Sequence, residues 1–197
     1  MLWDLLQTKE LGFNMVRKHV KVESERWYLA TDTLGLLVWQ DFPAISELYN
    51  NQIEKMPEAQ HQFEVEWHEW VREKYNHPSI IVWVVFNEGW GEHLAAKVTE
   101  AVIEADPSRL VDGASGWTDV GAGHLRDYHV YPGPCYWLFG CYPSSPGRSR
   151  RMRSGRRKRS KEKKEKKEEE GKYGHQDICP GRITVLGELW GRRSLVT

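Results

Sequence analysis

Four times between residues 2 and 113 an amphipathic helical stretch is followed by a short apolar run that ends in polar residues, and this alternation most constrains the fold. Leu2, Leu5 and Leu6 share one helical face, and Gly12 supplies a stop before the run Phe13-Asn14-Met15-Val16, which ends in Arg17-Lys18-His19. Ser24 can cap a second helix with Trp27, Ala30 and Leu34 at helical spacing. Gly35 ends it, and Leu36 to Trp39 then runs into Gln40-Asp41. Pro57 suits the first turn of a third helix carrying Phe63, Trp67, Trp70 and Val71 on one face. Asn76-His77-Pro78 ends it, and Ile80 to Phe86 follows, seven apolar residues stopping at Asn87-Glu88-Gly89. Leu94, Val98, Ala101, Val102 and Ala105 stripe a fourth helix that closes at Asp106-Pro107. Residues 109–113, 127–131 and 182–187 are further strand candidates, alongside 13–18, 36–41 and 80–86.

Strands alternating with helices imply parallel βαβ units, and wholly apolar strands imply a sheet covered on both faces. An open doubly wound sheet and a (β/α)8 barrel both meet this. No Gly-rich phosphate loop follows any strand, which weakens the nucleotide-binding version. Polar residues instead collect at the C-terminal ends of successive strands, as a barrel active site requires. The expected architecture is therefore α/β, a partial (β/α)8 TIM barrel of parallel strands with helices outside.

The formal charge of zero conceals two unlike segments. Residues 148–172 hold 14 of the 28 Lys and Arg but 5 of the 28 Asp and Glu, so this tract carries +9 and the remainder −9. Residues 143–172 have almost no apolar side chain and are expected to be disordered, since nothing there offsets the entropy of ordering. The three cysteines, Cys135, Cys141 and Cys179, form neither a disulfide framework nor a metal-ligand spacing. No apolar run has membrane-spanning length. The expected domains are 1–134, a barrel portion; 135–180, a low-complexity insert; and 181–197, a further barrel strand and the chain end.

Two glutamates close two apolar strands: Glu88 after IIVWVVFN and Glu188 after ITVLG. Glycoside hydrolysis requires two carboxyl groups facing across a sugar, one protonating the leaving oxygen and the other attacking the anomeric carbon or activating water. Parallel barrel strands deliver distant positions to one rim, where Arg17, His19, Asp41, Asn87, His129 and Tyr131 would join them. Asn87 can hydrogen-bond a sugar hydroxyl, Arg17 can orient a carboxylate, and Trp90 is a further substrate-binding candidate. Each has a plainer reading: Asn-Glu-Gly is also ordinary turn chemistry, and Asp41 before Phe-Pro could simply cap a turn.

GFNMVRKHVKVESERWYLATDTLGLLVWQDFP at 12–43 closely resembles the barrel of glycoside hydrolase family 2, the β-galactosidase and β-glucuronidase family. NHPSIIVWVVFNEGWGEH at 76–93 is similar to that family's fourth strand, DYHVYPGP at 127–134 to its sixth and LGELWG at 186–191 to the end of its seventh. The last match is short and departs from the usual small residues after the Glu. The resemblance implies Glu88 as general acid/base, Glu188 as nucleophile and Asn87 as a substrate-binding neighbour. It places Arg17 and His19 at the end of strand two and Asp41, His129 and Tyr131 in the pocket. It implies a retaining mechanism on a carbohydrate substrate, carboxyls about 5–5.5 Å apart, and no cofactor or metal. Strands one and eight of the barrel would then be missing, and a catalytically inactive barrel fragment stands as one alternative. A second is a binder of nucleic acid or an acidic surface through the basic tract, although its interleaved Glu residues and lack of aromatic partners make nucleic acid an unexpected ligand.

Overall fold

Gly12 and Gly35 take left-handed backbone (φ 88° and 63°), so the first two helices stop at the residues that can adopt it without strain. A computed structural model describes residues 1–45, 50–116, 119–130 and 182–189. Tyr131, the three cysteines, the 143–172 tract and the expected domain limits lie outside the described residues.

The described elements run α1 (Leu2–Glu10), β1 (Met15–Lys18), α2 (Glu25–Leu34), β2 (Leu37–Asp41), α3 (Asn50–Ile53), α4 (Pro57–Lys74), β3 (Ile80–Asn87), α5 (Ala95–Ala105), β4 (Leu110–Ser115), β5 (Leu125–Val130) and β6 (Ile183–Leu189). Every paired strand is parallel to its neighbour. Strands β1 to β4 pair in chain order, and β5 pairs with β6. The expected single sheet is thus two ladders, for a local reason. The segment leading into β5 turns back along β4, where Asp112 and Gly123 form an antiparallel bridge and His124 N–H bonds the Val111 carbonyl at 2.7 Å. His124 thereby occupies an edge position of β4 that a continuing ladder would need. A Cβ on Gly123 would lie 2.7 Å from that carbonyl, so only glycine allows the approach.

The helices pack on one face only. Leu5 of α1, Trp27 and Tyr28 of α2, Phe63, Trp67 and Val71 of α4, and Val98 and Val102 of α5 share a core with Val38, Trp83, Val85 and Val111 of the strands. Strand residues Trp39, Val82, Val84 and Leu125 form a separate small cluster on the other side. One-sided helix cover with strand side chains packed inside is the arrangement of a barrel wall, not of a doubly wound sheet. Two local expectations need correction. Ser24 occupies the N-cap of α2, but its hydroxyl makes no capping bond. Leu94 sits at the N-cap of α5 in left-handed backbone and is exposed, so it is not part of the buried stripe. Among the described residues no helix is long and apolar enough to cross a membrane.

A partly buried ion cluster ties α2 to the end of α4. His77 contacts Asp32 at 2.6 Å and Glu25 at 2.8 Å, Lys74 donates to Glu25 at 2.9 Å, and the Ser79 amide donates to Asp32 at 3.0 Å. Burial opposes ionisation of Asp32, but the bonds from His77 and Ser79 outweigh it and hold the carboxyl below its usual range. The Lys74 bond, against a lesser burial effect, lowers Glu25 likewise. Carboxyls with lowered folded values stabilise above their unfolded range and lose that contribution as pH falls through the folded values. Urea midpoints should therefore decline below about pH 4, and Asp32→Asn should flatten that decline. An unchanged slope in the variant would remove Asp32 from the acid response.

Candidate active site

Arg17 lies one residue before the end of β1, Asp41 ends β2, Asn87 ends β3 and Ser115 ends β4, and the strand register places these ends at one rim. Asp41 is buried and is the anchor. Arg17 donates Nε to Asp41 Oδ1 at 2.9 Å and Nη2 to Oδ2 at 2.8 Å, a bidentate fork with planar specificity. His19 Nδ1 lies 3.0 Å from the same Oδ2, and the Val20 amide donates to it at 3.2 Å. Val20 accepts a φ of 48° to do so, which is strained for a β-branched residue.

Arg17 Nη2 also donates to Asn87 Oδ1 at 2.9 Å. Because a guanidinium can only donate, this bond assigns the Asn87 amide oxygen to Arg17 and turns Nδ2 the other way. That nitrogen is buried and has no hydrogen-bond partner among the described residues. A donor in that state is an unfilled requirement, since buried polar groups are nearly always paired.

Glu88 follows in left-handed backbone (φ 50°), its amide donating to the Ser115 carbonyl at 2.9 Å. Its Oε1 lies 2.9 Å from His129 Nδ1. His129 is buried, and its Nε2 lies 2.8 Å from Ser115 Oγ and 3.4 Å from Arg17 Nη1. Trp90 is half-buried, its ring centre 6.3 Å from that of His19, and the two rings border the rim. Glu188 is placed by its backbone, opposite His129 in the β5–β6 ladder just past a register shift at Tyr128/His129. Of the residues singled out from sequence, Arg17, His19, Asp41, Asn87, Glu88, Trp90 and His129 come together, Glu188 lies on the adjoining strand, and Tyr131 is outside the described residues.

Sequence reading missed a further layer. Ser115 Oγ donates to Asp127 Oδ2 in a very short contact. Asp112 is buried beside Asp127, and burial followed by the Asp127 charge raises its carboxyl well above the usual range. Burial also raises Glu92. The available signal was alternation: Leu125, Asp127 and His129 share one strand face, and Asp112 interrupts an otherwise small and apolar strand.

Gly116 is required by the same geometry. It has φ 96°, and a Cβ there would lie 2.7 Å from His129 Nδ1 and 2.9 Å from Cγ. Gly116→Ala should displace the imidazole, break the Glu88 contact and cost about 1–3 kcal/mol. A structure of the variant with His129 unmoved, or an unchanged Tm, would show that the turn relaxes instead.

Polar groups at the C-terminal ends of parallel strands, with helices on the opposite face, define an enzyme-type (β/α)8 barrel wall. A family model described as glycosyl hydrolases family 2, TIM barrel domain, matches residues 1–185, and the chain belongs to that family. A putative beta-glucuronidase of Formosa agariphila is 29% identical over 120 residues, covering 58% of this chain and 11% of that protein. A beta-galactosidase of Thermoanaerobacterium thermosulfurigenes is 33% identical over 124 residues, covering 62% of this chain and 16% of that protein. Among solved structures, a GH2 beta-galacturonidase from Eisenbergiella tayi bound to galacturonate superposes with a TM-score of 0.56 at 26% identity, covering 66% of this chain and 24% of that one. The chain thus spans 11% and 16% of the length of these two curated relatives, and the relatives are glycosidases.

Proposed function

We propose that this chain carries the catalytic rim of a retaining β-glycosidase that removes terminal sugars from a carbohydrate substrate. The observation that carries the reading is the Asn87-Glu88 pair: a buried amide donor without a partner among the described residues, beside a carboxyl that faces His129. A sugar hydroxyl next to the reacting carbon would satisfy Asn87 Nδ2 and bring the glycosidic oxygen to Glu88. Glu88 then protonates the leaving oxygen while Glu188 attacks the anomeric carbon, forming a covalent glycosyl-enzyme. In the second half Glu88 takes a proton from water, which attacks the same carbon and releases Glu188, so configuration is retained. Arg17 and Asp41 hold Asn87 in place, while His19, Trp90 and His129 line the pocket, and Tyr131 is assigned a substrate-binding role from the sequence alone. Residues 1–134 and 181–197 contribute barrel elements on this reading, and 135–180 connects them.

Leaving-group dependence tests the assignment. In the complete enzyme Glu88→Ala should slow turnover of alkyl glycosides by about 100-fold or more, with far less effect on activated aryl glycosides, because a good leaving group needs little protonation. Azide should partly restore Glu88→Ala and give a glycosyl azide of retained configuration. Glu188→Ala should abolish both reactions. Equal slowing of both substrate types by Glu88→Ala would exclude it as the acid/base, and near-normal activity of Glu188→Ala would exclude it as nucleophile. Absence of turnover by the unsubstituted chain, with activity in the complete enzyme, would identify the chain alone as an inactive part.

A further inference from the structure

The carboxyls of Asp112 and Asp127 lie behind Ser115 and His129, with Asp127 Oδ2 3.5 Å from His129 Nε2. Asp112 comes from β4 and Asp127 from β5. Both oxygens of Asp112 and Oδ1 of Asp127 are buried and make no hydrogen bond as carboxylates among the described residues. The side chains nevertheless stand within hydrogen-bonding reach of one another. Two carboxylates cannot bond, but one proton between them makes an O–H···O bond and removes one of the two buried charges. The charged groups acting on Asp112 are Asp127, Arg17 of β1 and Asp41 of β2, and Arg17 is already chelated by Asp41. Ser115 and His129 thus face Asp127, and no hydrogen-bond donor reaches Asp112 among the described residues.

The pair is linked to Glu88 by a chain whose bonds have a direction. Ser115 Oγ donates its only proton to Asp127 Oδ2. His129 Nε2, 2.8 Å from that oxygen, must then be the donor to Ser115. If the proton lay on Asp127 instead, Asp127 would donate to Ser115, Ser115 to a bare Nε2, and Nδ1–H would face Glu88. The location of one buried proton therefore decides which imidazole nitrogen is protonated.

We propose that Asp112 and Asp127 are positioning residues in which Asp112 holds the shared proton, so that Asp127 orients Ser115, keeps a proton on His129 Nε2 and presents Nδ1 to Glu88 as the partner with which Glu88 shares its own proton. This inference rests on Glu88 as the proton donor, but its test does not. Glu88–OH with neutral His129 and Glu88 carboxylate with imidazolium differ only in the position of that proton, 2.9 Å across the contact. Glu88 thus gives up a proton to the leaving group and recovers one from water without its neighbour changing orientation. Arg17 Nη1, 3.4 Å from Nε2, is too distant to compete with Ser115 while Nε2 bears its proton.

The measurement is 15N NMR of the His129 ring in the 197-residue chain without substrate. A protonated Nε2 is expected at neutral pH. Asp112→Asn, which keeps the shape and donor of the neutral acid, should leave it protonated. Asp127→Asn lets an amide N–H point at Ser115, and should switch His129 to the form with the proton on Nδ1 alone. If Asp127→Asn fails to fold, Ser115→Ala frees Nε2 for Arg17 and should give the same switch. A wild-type ring protonated only at Nδ1, or Asp112→Asn behaving as Asp127→Asn, would overturn the proposal. So would Nε2 remaining protonated in both Asp127→Asn and Ser115→Ala. Expected ring states with no azide-rescuable glycosidase activity would remove the proposed reaction and with it the part Glu88 plays here, while the proton arrangement of Asp112, Asp127, Ser115 and His129 would stand. The reverse combination would remove only the inference.

Discussion

Asp41→Ala is expected to lower unfolding free energy by about 3–5 kcal/mol, among the largest losses available in the molecule. Asp41 is 1% exposed and takes two bonds from Arg17, one from the Val20 amide and a contact from His19. Removing it takes the bidentate carboxylate from a guanidinium whose side chain is only 13% exposed and releases a backbone held at a strained φ. The cost comes from the charge left behind more than from the attraction lost. A double substitution, Asp41→Ala with Arg17→Met, should therefore be less damaging than Asp41→Ala alone. Urea denaturation of the three variants decides it. A loss under about 1 kcal/mol for Asp41→Ala would place the anchor of the rim elsewhere.

Trp83→Ala is expected to cost a comparable 3–5 kcal/mol, roughly, for a different reason. Trp83 is fully buried in β3, with its ring 5.7 Å from Phe42 and near parallel to it, and the Arg109 guanidinium 5.6 Å from its centre. Its Nε1 donates to Asp106 Oδ2 at 2.8 Å, tying the strand to the end of α5. Trp83→Phe keeps much of the packing and removes one of the donors to Asp106, which Ser108 and Arg109 still serve. It should cost about 1–2 kcal/mol. Thermal unfolding separates the two substitutions. Equal losses would mean that the indole N–H, not its bulk, holds α5 to the sheet.

The strands were legible because each apolar run is bounded by residues with only one local use. Gly12 and Gly35 stop helices by left-handed backbone, and Pro57 starts one. The ends of β1, β2 and β3 fall at or within one residue of those read from the polar boundaries at Lys18, Asp41 and Phe86. The division into two ladders was not legible, since it depends on His124 meeting Val111, a pairing no local pattern encodes. The rim residues stood out because polar side chains at the ends of apolar strands are conspicuous. The layer beneath did not, because Asp112 and Asp127 look like ordinary surface acids until both are seen facing inward. Gly116 was equally silent: its requirement comes from an imidazole thirteen positions later in the chain.

The backbone at position 88 has a consequence for how such a chain would change over generations. A residue other than glycine at φ 50° costs about 1 kcal/mol or more, and glycine or asparagine would sit there with less strain. A lineage with no further use for the carboxyl would gain stability by exchanging it, so neutral drift at this site runs toward glycine. Folding alone favours glutamate there only through its contact with His129, and the identity of residue 88 in any descendant is a readable record of whether that contact, or a use for the carboxyl beyond it, is maintained.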